Sequence, residues 1–135
     1  METKEMGVVE MRLPFKRFFG YKNKLVGFRF NILSWSILCE LFNPVIEFHQ
    51  IEELEKTNPK QLFEKMVLAG VLSYHFKFKN NPVVTELDIN YWLYKMSAEK
   101  RDFVVLNLQT TILNSKIMGK MMSQIITEKE EEKKN

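Results

Sequence analysis

Few side chains in this sequence have the chemistry of a catalytic or metal site. The chain has two histidines, His49 and His75, and one cysteine, Cys39. Neither histidine lies in an HxxH or HExxH pattern and no CxxC pair is present, so the spacing that transition-metal ligands need is absent. Glycine-rich phosphate loops and the GxSxG pattern of a nucleophilic serine are also absent. We therefore expect no cofactor, no metal ion and no enzyme activity, with both histidines structural or at the surface and Cys39 buried.

Basic and aromatic side chains near the N-terminus have the chemistry of a nucleic-acid site. Residues 1–31 contain seven Lys and Arg against three Glu, and the whole chain has a net charge of +3. Such side chains can contact phosphates and stack on bases. The basic residues are Lys16, Arg17, Lys22, Lys24 and Arg29, interleaved with Phe15, Phe18, Phe19 and Tyr21. A solvated face explains this basic patch equally well, and the rest of the chain is nearly balanced in charge, so nucleic-acid binding is the weaker alternative.

Apolar side chains near the C-terminus form a second set of candidate binding residues. Met and Ile continue past Gly119 up to a charged end that cannot pack. Flexible Met side chains suit a surface that must hold many different apolar segments. The candidate partner-binding residues are Met118, Met121, Met122, Ile125 and Ile126. Their alternative role is to complete the core or a homo-oligomer interface.

A helix from Asn58 to Phe78 is the clearest element that could position these groups. Asn58 can cap the helix, Pro59 suits the first helical position, and Gln61 has the spacing of a capping box. A bilayer-spanning helix needs about 20 mostly apolar residues, and charged residues interrupt this one, so we expect no membrane span.

The middle of this helix has no polar face. Residues 66–72 are apolar or Gly without a break, so we expect other elements to cover the helix on every side. Gly70 costs about 1 kcal/mol relative to Ala in a helix, and the close approach of a crossing helix would explain it.

The rest of the chain predicts a hairpin and four further helices. Strands are expected at 8–15 and 24–30 around a loop at 20–23, and helices at 32–42, 49–56, 85–96 and from 98 almost to 128. Thr85 and Asp88 have the spacing of a helix cap. The last helix would be the longest element. The apolar side of the helix at 85–96 is expected to comprise Leu87, Trp92, Leu93 and Met96. That of the last helix is expected to comprise Phe103, Leu106, Ile112, Leu113, Ile117, Met121 and Ile125.

These elements predict a mainly α (α+β) fold, a helical bundle of about four to five helices with a small N-terminal β-hairpin. A chain of 135 residues that is 45% hydrophobic can bury a core of its own. We expect a single domain over residues 1–127, with the hairpin at about 8–30 and the helical body at 31–127. Residues 128–135 are expected to form a charged, disordered tail.

The order of these elements resembles that of the tail assembly chaperones of long-tailed bacteriophages. The resemblance covers roughly residues 24–120 and rests on the segments FRFNILSWSILCELFN, QLFEKMVLAGVLSYHFKF and VVTELDINYWLYKMS. Within the central helix, Ala69-Gly70-Val71 matches a small-residue step of the family. Val71 stands where the family usually has Leu, and the hairpin is more basic than is usual in the family.

The resemblance implies a non-enzymatic assembly factor. Such a chaperone binds the long, apolar, helical tape-measure protein, keeps it soluble and helps tail-tube subunits to polymerise around it. The implied location is the host cytoplasm, with the protein absent from the mature virion, and the implied partners are the tape-measure and tail-tube proteins. A homo-oligomer remains open, and the charged residues of the central helix argue against a membrane. The alternative is a small virion structural or connector protein whose hairpin adds a strand to a neighbour.

Overall fold

The computed structural model of the protein describes residues 7–18 and 20–115. In these residues an antiparallel hairpin is followed by five α-helices, with one π-helical turn between the fourth and the fifth. The elements are β1 (Val8–Arg17), β2 (Gly20–Arg29), α1 (Ile32–Glu40), α2 (Gln50–Thr57), α3 (Pro59–Phe78), α4 (Glu86–Asn90), the π-helical turn (Tyr91–Lys95) and α5 (Ala98–Asn114). The fold is therefore mainly α with a small N-terminal hairpin, as the sequence predicts.

The hairpin is longer and its connection shorter than expected. The two strands pair over all ten residues of each, and the last pair joins Arg17 to Gly20. The predicted loop at residues 20–23 is therefore wrong, because these residues belong to β2 and only positions 18 and 19 separate the strands. Gly20 has a φ of +110°, a conformation that residues with a side chain rarely adopt, so a glycine here permits the short connection.

Helix α3 occupies the centre of the fold and contacts β2, α1, α2 and α4. Its bounds are those that the sequence predicts. The Asn58 side chain accepts a hydrogen bond from the Gln61 backbone N–H at 3.3 Å, and Pro59 lies in the first turn. The predicted capping box does not form, because the Gln61 side-chain oxygen accepts from the Asn58 side-chain amide at 3.0 Å and the Asn58 backbone N–H donates to the Leu54 carbonyl at 2.7 Å. Local sequence thus sets the start of this helix.

The expectation that other elements cover α3 on every side is wrong. Leu72 and Phe76 are exposed and Leu68 is only partly buried, so residues four apart form one uncovered face. The expectation that a crossing helix approaches Gly70 is also wrong. A Cβ at Gly70 would lie 2.5 Å from a ring carbon of Phe30, the residue just after β2. The hairpin, rather than a helix, approaches α3 at this point.

Helix α1 ends earlier than predicted, and α2 lies within a residue of its predicted bounds. The last residue of α1 is Glu40 instead of Phe42. The backbone N–H of Leu41 bonds to the carbonyls of both Ile37 and Leu38, at 3.0 and 3.2 Å, which tightens the final turn and closes the helix.

The predicted helix at 85–96 starts as expected but changes type midway. The Thr85 hydroxyl accepts from the Asp88 N–H and the Asp88 carboxylate accepts from the Thr85 N–H, which confirms the cap. Helix α4 then widens into the π-helical turn. A π turn shifts which residues share a face. Trp92, Leu93 and Met96 are buried as predicted. The predicted burial of Leu87 is wrong, because Leu87 is exposed and Ile89 is the buried residue of α4.

Helix α5 is shorter than predicted. It ends at Asn114, and Ser115 has extended backbone angles, φ −71° and ψ 142°. The expectation of one helix continuing almost to residue 128 is therefore wrong, and the 20 residues of α3 make it the longest described element. No helix of residues 7–18 and 20–115 is both long and apolar enough to cross a bilayer.

Candidate functional site

Helix α5 carries two apolar faces, and only one of them is buried. Val104, Leu108 and Ile112 follow one another at intervals of four and are almost fully buried, where α5 meets β1 and the π-helical turn. The second face consists of Phe103, Leu106 and Leu113, which are 64%, 63% and 53% exposed. The predicted inward positions of these three residues are therefore wrong, whereas that of Ile112 is confirmed.

The exposed face of α5 leads into an apolar groove beside α3. The groove encloses about 370 Å³ and is lined by Glu55, Pro59, Leu62, Phe63, Met66, Gln109, Ile112 and Leu113. Leu106 lies three residues before Gln109 and seven before Leu113, which places all three on one side of α5. We call the groove together with Phe103 and Leu106 the α3–α5 surface.

The composition of the α3–α5 surface suits an apolar partner. Leu, Phe, Met, Ile and Pro side chains make up most of the groove, with a single carboxylate, Glu55, among its lining residues. From Phe103 to Leu113 α5 rises about 15 Å, since each helical residue adds about 1.5 Å. The surface therefore offers roughly three helical turns of apolar contact to a partner segment of similar length.

A second groove, between α3 and α4, is less suited to an apolar partner. It encloses about 390 Å³, but Gln61, Glu64, Lys65 and Glu86 account for half of its lining residues. The Lys65 amine and the Glu86 carboxylate lie 3.1 Å apart in an ion pair between the two helices. An apolar segment in this groove would have to displace water from these charges, which opposes binding.

The partner-binding residues that the sequence predicts lie outside the described part of the chain. Met118, Met121, Met122, Ile125 and Ile126 all follow Ser115, the last residue that the structure describes, and so does Ile117 of the predicted apolar side of the last helix. The sequence-based prediction does not include the α3–α5 surface, because it gives the last helix a single apolar face. The signal was present in the sequence, since one series at 104, 108 and 112 and another at 103, 106 and 113 cannot occupy the same side of one helix.

The five residues of the basic patch divide between the two ends of the hairpin. Lys16 lies opposite Tyr21, Arg17 opposite Gly20, Lys22 opposite Phe15 and Lys24 opposite Leu13, all in the half nearest the turn. Arg29 lies opposite Val8 at the other end. Along a strand that rises about 3.3 Å per residue, Arg29 is more than about 20 Å from Lys22.

The aromatic residues of the hairpin also have different surroundings. Phe15 is fully buried and meets Trp92 edge-on, with ring centroids 5.4 Å apart. The Tyr21 ring stacks on Tyr91 at 5.0 Å, while Phe18 is fully exposed at the turn. Phe15 therefore belongs to the core, and Tyr21 and Phe18 are the described hairpin aromatics that keep surface for a partner.

The side chains considered for metal or acid–base chemistry are dispersed. His49 is exposed and lies 3.3 Å from the Glu47 carboxylate, and His75 is exposed on α3. Cys39 is buried as expected, and burial, followed by the charge of Glu40, raises the pKa of its thiol. In the described ranges, no three His, Cys, Asp or Glu side chains converge on a possible metal position.

The α3–α5 surface is therefore the described site with the best-defined binding chemistry, and that chemistry is apolar contact. Comparisons of the chain with protein-family models, with curated proteins and with solved structures give no match.

Proposed function

We propose that this protein is a non-enzymatic tail assembly chaperone that binds the apolar helical tape-measure protein of a long-tailed bacteriophage and helps tail-tube subunits to polymerise. The observation that carries the proposal is the second apolar face of α5, exposed beside an apolar groove. The sequence resemblance over residues 24–120 supports the same class of function.

The α3–α5 surface has the chemistry that such a client requires. A tape-measure segment presents apolar side chains at helical spacing, and a helix that lies in an apolar groove is a common mode of peptide recognition. Phe63 and Met66 of α3 and Leu113 of α5 all line the groove. Each apolar side chain moved from water into such a contact contributes roughly 1.5–3 kcal/mol, so a few residues on each side give useful affinity.

The proposal includes a location. The chaperone acts in the host cytoplasm while the tail is built and leaves before the virion is complete. Mass spectrometry of infected-cell lysate and of purified particles tests this point, and we expect the protein in the lysate only. A fixed number of copies in purified particles would instead identify a virion structural or connector protein.

One feature of the hairpin opposes the connector alternative. Strand addition needs unpaired backbone groups along a sheet edge. At Gly27 the edge of β2 is already occupied, because the Asn81 side chain bonds to both the N–H and the carbonyl of Gly27 at 2.8 Å. A neighbouring strand could not pair with β2 at this point without displacing Asn81.

The decisive experiment is co-expression with the tape-measure protein of the same phage. The variant Leu106→Gln with Leu113→Gln keeps helix-forming side chains but removes two exposed apolar contacts. The matched control is Leu72→Gln with Phe76→Gln, which removes two exposed apolar side chains from the uncovered face of α3. We expect the α5 variant to leave the client insoluble and the α3 variant to keep it soluble.

Stability measurements separate binding from folding in this experiment. Leu106 and Leu113 are exposed, so their replacement should change the free energy of unfolding by no more than about 0.5 kcal/mol. Leu108 is fully buried, and Leu108→Ala should cost about 2–5 kcal/mol. If the α5 variant folds and still keeps the client soluble, the α3–α5 surface is not the client site.

A further inference from the structure

Positive charge is concentrated in one part of this chain. The sequence has 20 basic and 17 acidic residues, and six of the basic ones but none of the acidic ones lie between Met11 and Cys39. The remaining residues therefore have more acidic than basic side chains. A stretch of this kind attracts polyanions, and four of its six basic residues lie in the half of the hairpin nearest the turn.

The half of the hairpin nearest its turn presents this charge beside an exposed aromatic ring. Lys22 and Lys24 lie opposite Phe15 and Leu13 on one face of the hairpin, whereas Lys16 and Tyr21 lie opposite each other on the other face, so both faces near the turn carry positive charge. Phe18 projects fully into solvent between the two strands. An exposed aromatic ring on a segment that carries several lysines is a common combination at nucleic-acid sites.

A cleft behind the turn adds residues that the sequence did not indicate. It encloses about 590 Å³ between the hairpin and the segment formed by α4 and the π-helical turn. Lys16 and Tyr21 line it from the hairpin, and Tyr91 and Lys95 line it from the π-helical turn. The stacked rings of Tyr21 and Tyr91 lie at 24° to each other. The cleft thus combines two amines and a pair of aromatic rings with a single carboxylate, Asp88.

The hairpin is held firmly enough to keep this cleft in shape. The Trp92 indole N–H, next to Tyr91 in sequence, donates to the Pro14 carbonyl at 2.7 Å. Trp92 also contacts the rings of Phe15 and Phe28 edge-on. These contacts fix β1 and β2 against the π-helical turn, so Lys16 and Lys95 face a common space.

We propose that the hairpin turn and this cleft bind single-stranded nucleic acid, with the lysines at phosphates and with Phe18 and the Tyr21–Tyr91 pair stacking on bases. This activity is separate from client binding, because none of the residues that line the cleft lines the α3–α5 groove. A flexible strand reaches both Phe18 and the cleft. A flat anionic membrane reaches only Phe18, and an acidic peptide would leave the aromatic rings without bases to stack on.

Fluorescence anisotropy of a labelled oligo-dT of about 20 nucleotides tests the proposal, since single-strand sites cover several nucleotides. Lys22→Ala with Lys95→Ala should weaken binding and reduce the slope of log affinity against log salt by about 0.7 for each lysine. The control is Lys56→Ala with Lys60→Ala, which removes the same charge from α2 and the start of α3. We expect the control to keep the slope of the wild type.

Phe18→Ala tests the stacking contribution. We expect it to lower affinity at least about fivefold without changing the salt slope, because stacking involves no counterion release. The control is Phe103→Ala, an exposed ring on the client surface, which should weaken client binding and leave oligo-dT binding unchanged. Phe18→Ala should weaken oligo-dT binding and leave client binding unchanged. This opposite pair of effects distinguishes failure of this proposal from failure of the proposed function.

Three outcomes would overturn the proposal. The first is no oligo-dT binding even at low salt, where electrostatic affinity is greatest. The second is equal weakening by the Lys22/Lys95 variant and its control, which would indicate net charge alone. The third is stronger binding to phosphatidylserine-containing vesicles or to polyglutamate than to oligo-dT, which would assign the surface to a membrane or to an acidic protein.

Discussion

The side-chain amide of Asn81 binds both backbone polar groups of Gly27, a residue 54 positions earlier in the chain. Its oxygen accepts from the Gly27 N–H and its nitrogen donates to the Gly27 carbonyl, each at 2.8 Å, and the same nitrogen donates to the Val71 carbonyl at 3.0 Å. One side chain therefore joins the edge of β2 to α3, and it does so with the hydrogen bonds that a neighbouring strand would make.

Replacing Asn81 should loosen the hairpin from α3. We expect Asn81→Ala to lower the free energy of unfolding by about 1–3 kcal/mol, because it leaves partly buried backbone groups without partners. Asn81→Asp should cost more, since a carboxylate would face two carbonyl oxygens. Urea unfolding measures both changes. Asn80→Ala is the control, as Asn80 is exposed, and an equal loss in that variant would contradict the role given to Asn81.

Gly70→Ala should destabilise the protein although Ala is the better helix former. Ala gains about 1 kcal/mol over Gly in a helix, but its Cβ would lie 2.5 and 2.8 Å from two ring carbons of Phe30. Overpacking of this kind costs about 1–3 kcal/mol, and the rigid ring cannot bend away, so we expect a net loss.

Phe30→Leu provides the test of this mechanism. If the clash causes the loss, adding Phe30→Leu to Gly70→Ala should cost less than Phe30→Leu costs in the wild type. A double-mutant cycle by denaturant unfolding measures this coupling. Additive effects, or an increase in stability in Gly70→Ala alone, would show that Phe30 does not determine the need for glycine.

The stability of the protein should fall at alkaline pH partly because of Tyr74. Burial raises the pKa of Tyr74 above its ordinary value of 10.0, and a hydrogen bond to Glu10 and the charge of Glu10 raise it further. The folded protein therefore holds this proton more tightly than the unfolded chain does. The resulting stabilisation is complete below about pH 10 and is lost as the pH rises through the folded-state pKa.

Two variants measure this contribution. The Tyr74 hydroxyl donates to a Glu10 carboxylate oxygen at 3.1 Å, so Tyr74→Phe removes both the bond and the titrating proton. We expect the free energy of unfolding to fall less steeply with pH in Tyr74→Phe than in the wild type. Glu10→Gln removes only the charge and should give an intermediate slope. Identical alkaline slopes in all three proteins would rule out Tyr74 as a source of the pH dependence.

Signals that act within a few residues predicted the helix starts correctly. Asn58 and Gln61 begin α3, and Thr85 and Asp88 begin α4, because each cap forms between groups three residues apart. The short α1 followed the same rule, with Asn31 bonded to the Ser34 N–H at 3.0 Å. The mainly α fold with an N-terminal hairpin follows from these local signals and from hydrophobic spacing.

Tertiary packing decided which apolar helix faces are buried and which are exposed. Leu106 and Leu108 are the same residue type on the same helix, yet Leu108 is fully buried and Leu106 is exposed, in a helix that packs against β1 and the π-helical turn. Spacing shows that a helix has apolar faces, but it does not show which face meets a distant strand.

The candidate sites depended on the same long-range contacts. Lys95 and Lys16 line the same cleft. They do so because the Trp92 indole fixes the π-helical turn against the hairpin at Pro14, 78 residues earlier in the chain. Sequence by itself determined which residues are basic, aromatic or apolar and where the helices begin. Contacts between residues far apart in the chain decided which of those residues share a surface, since hydrophobic burial is proportional to area and does not specify a partner in sequence.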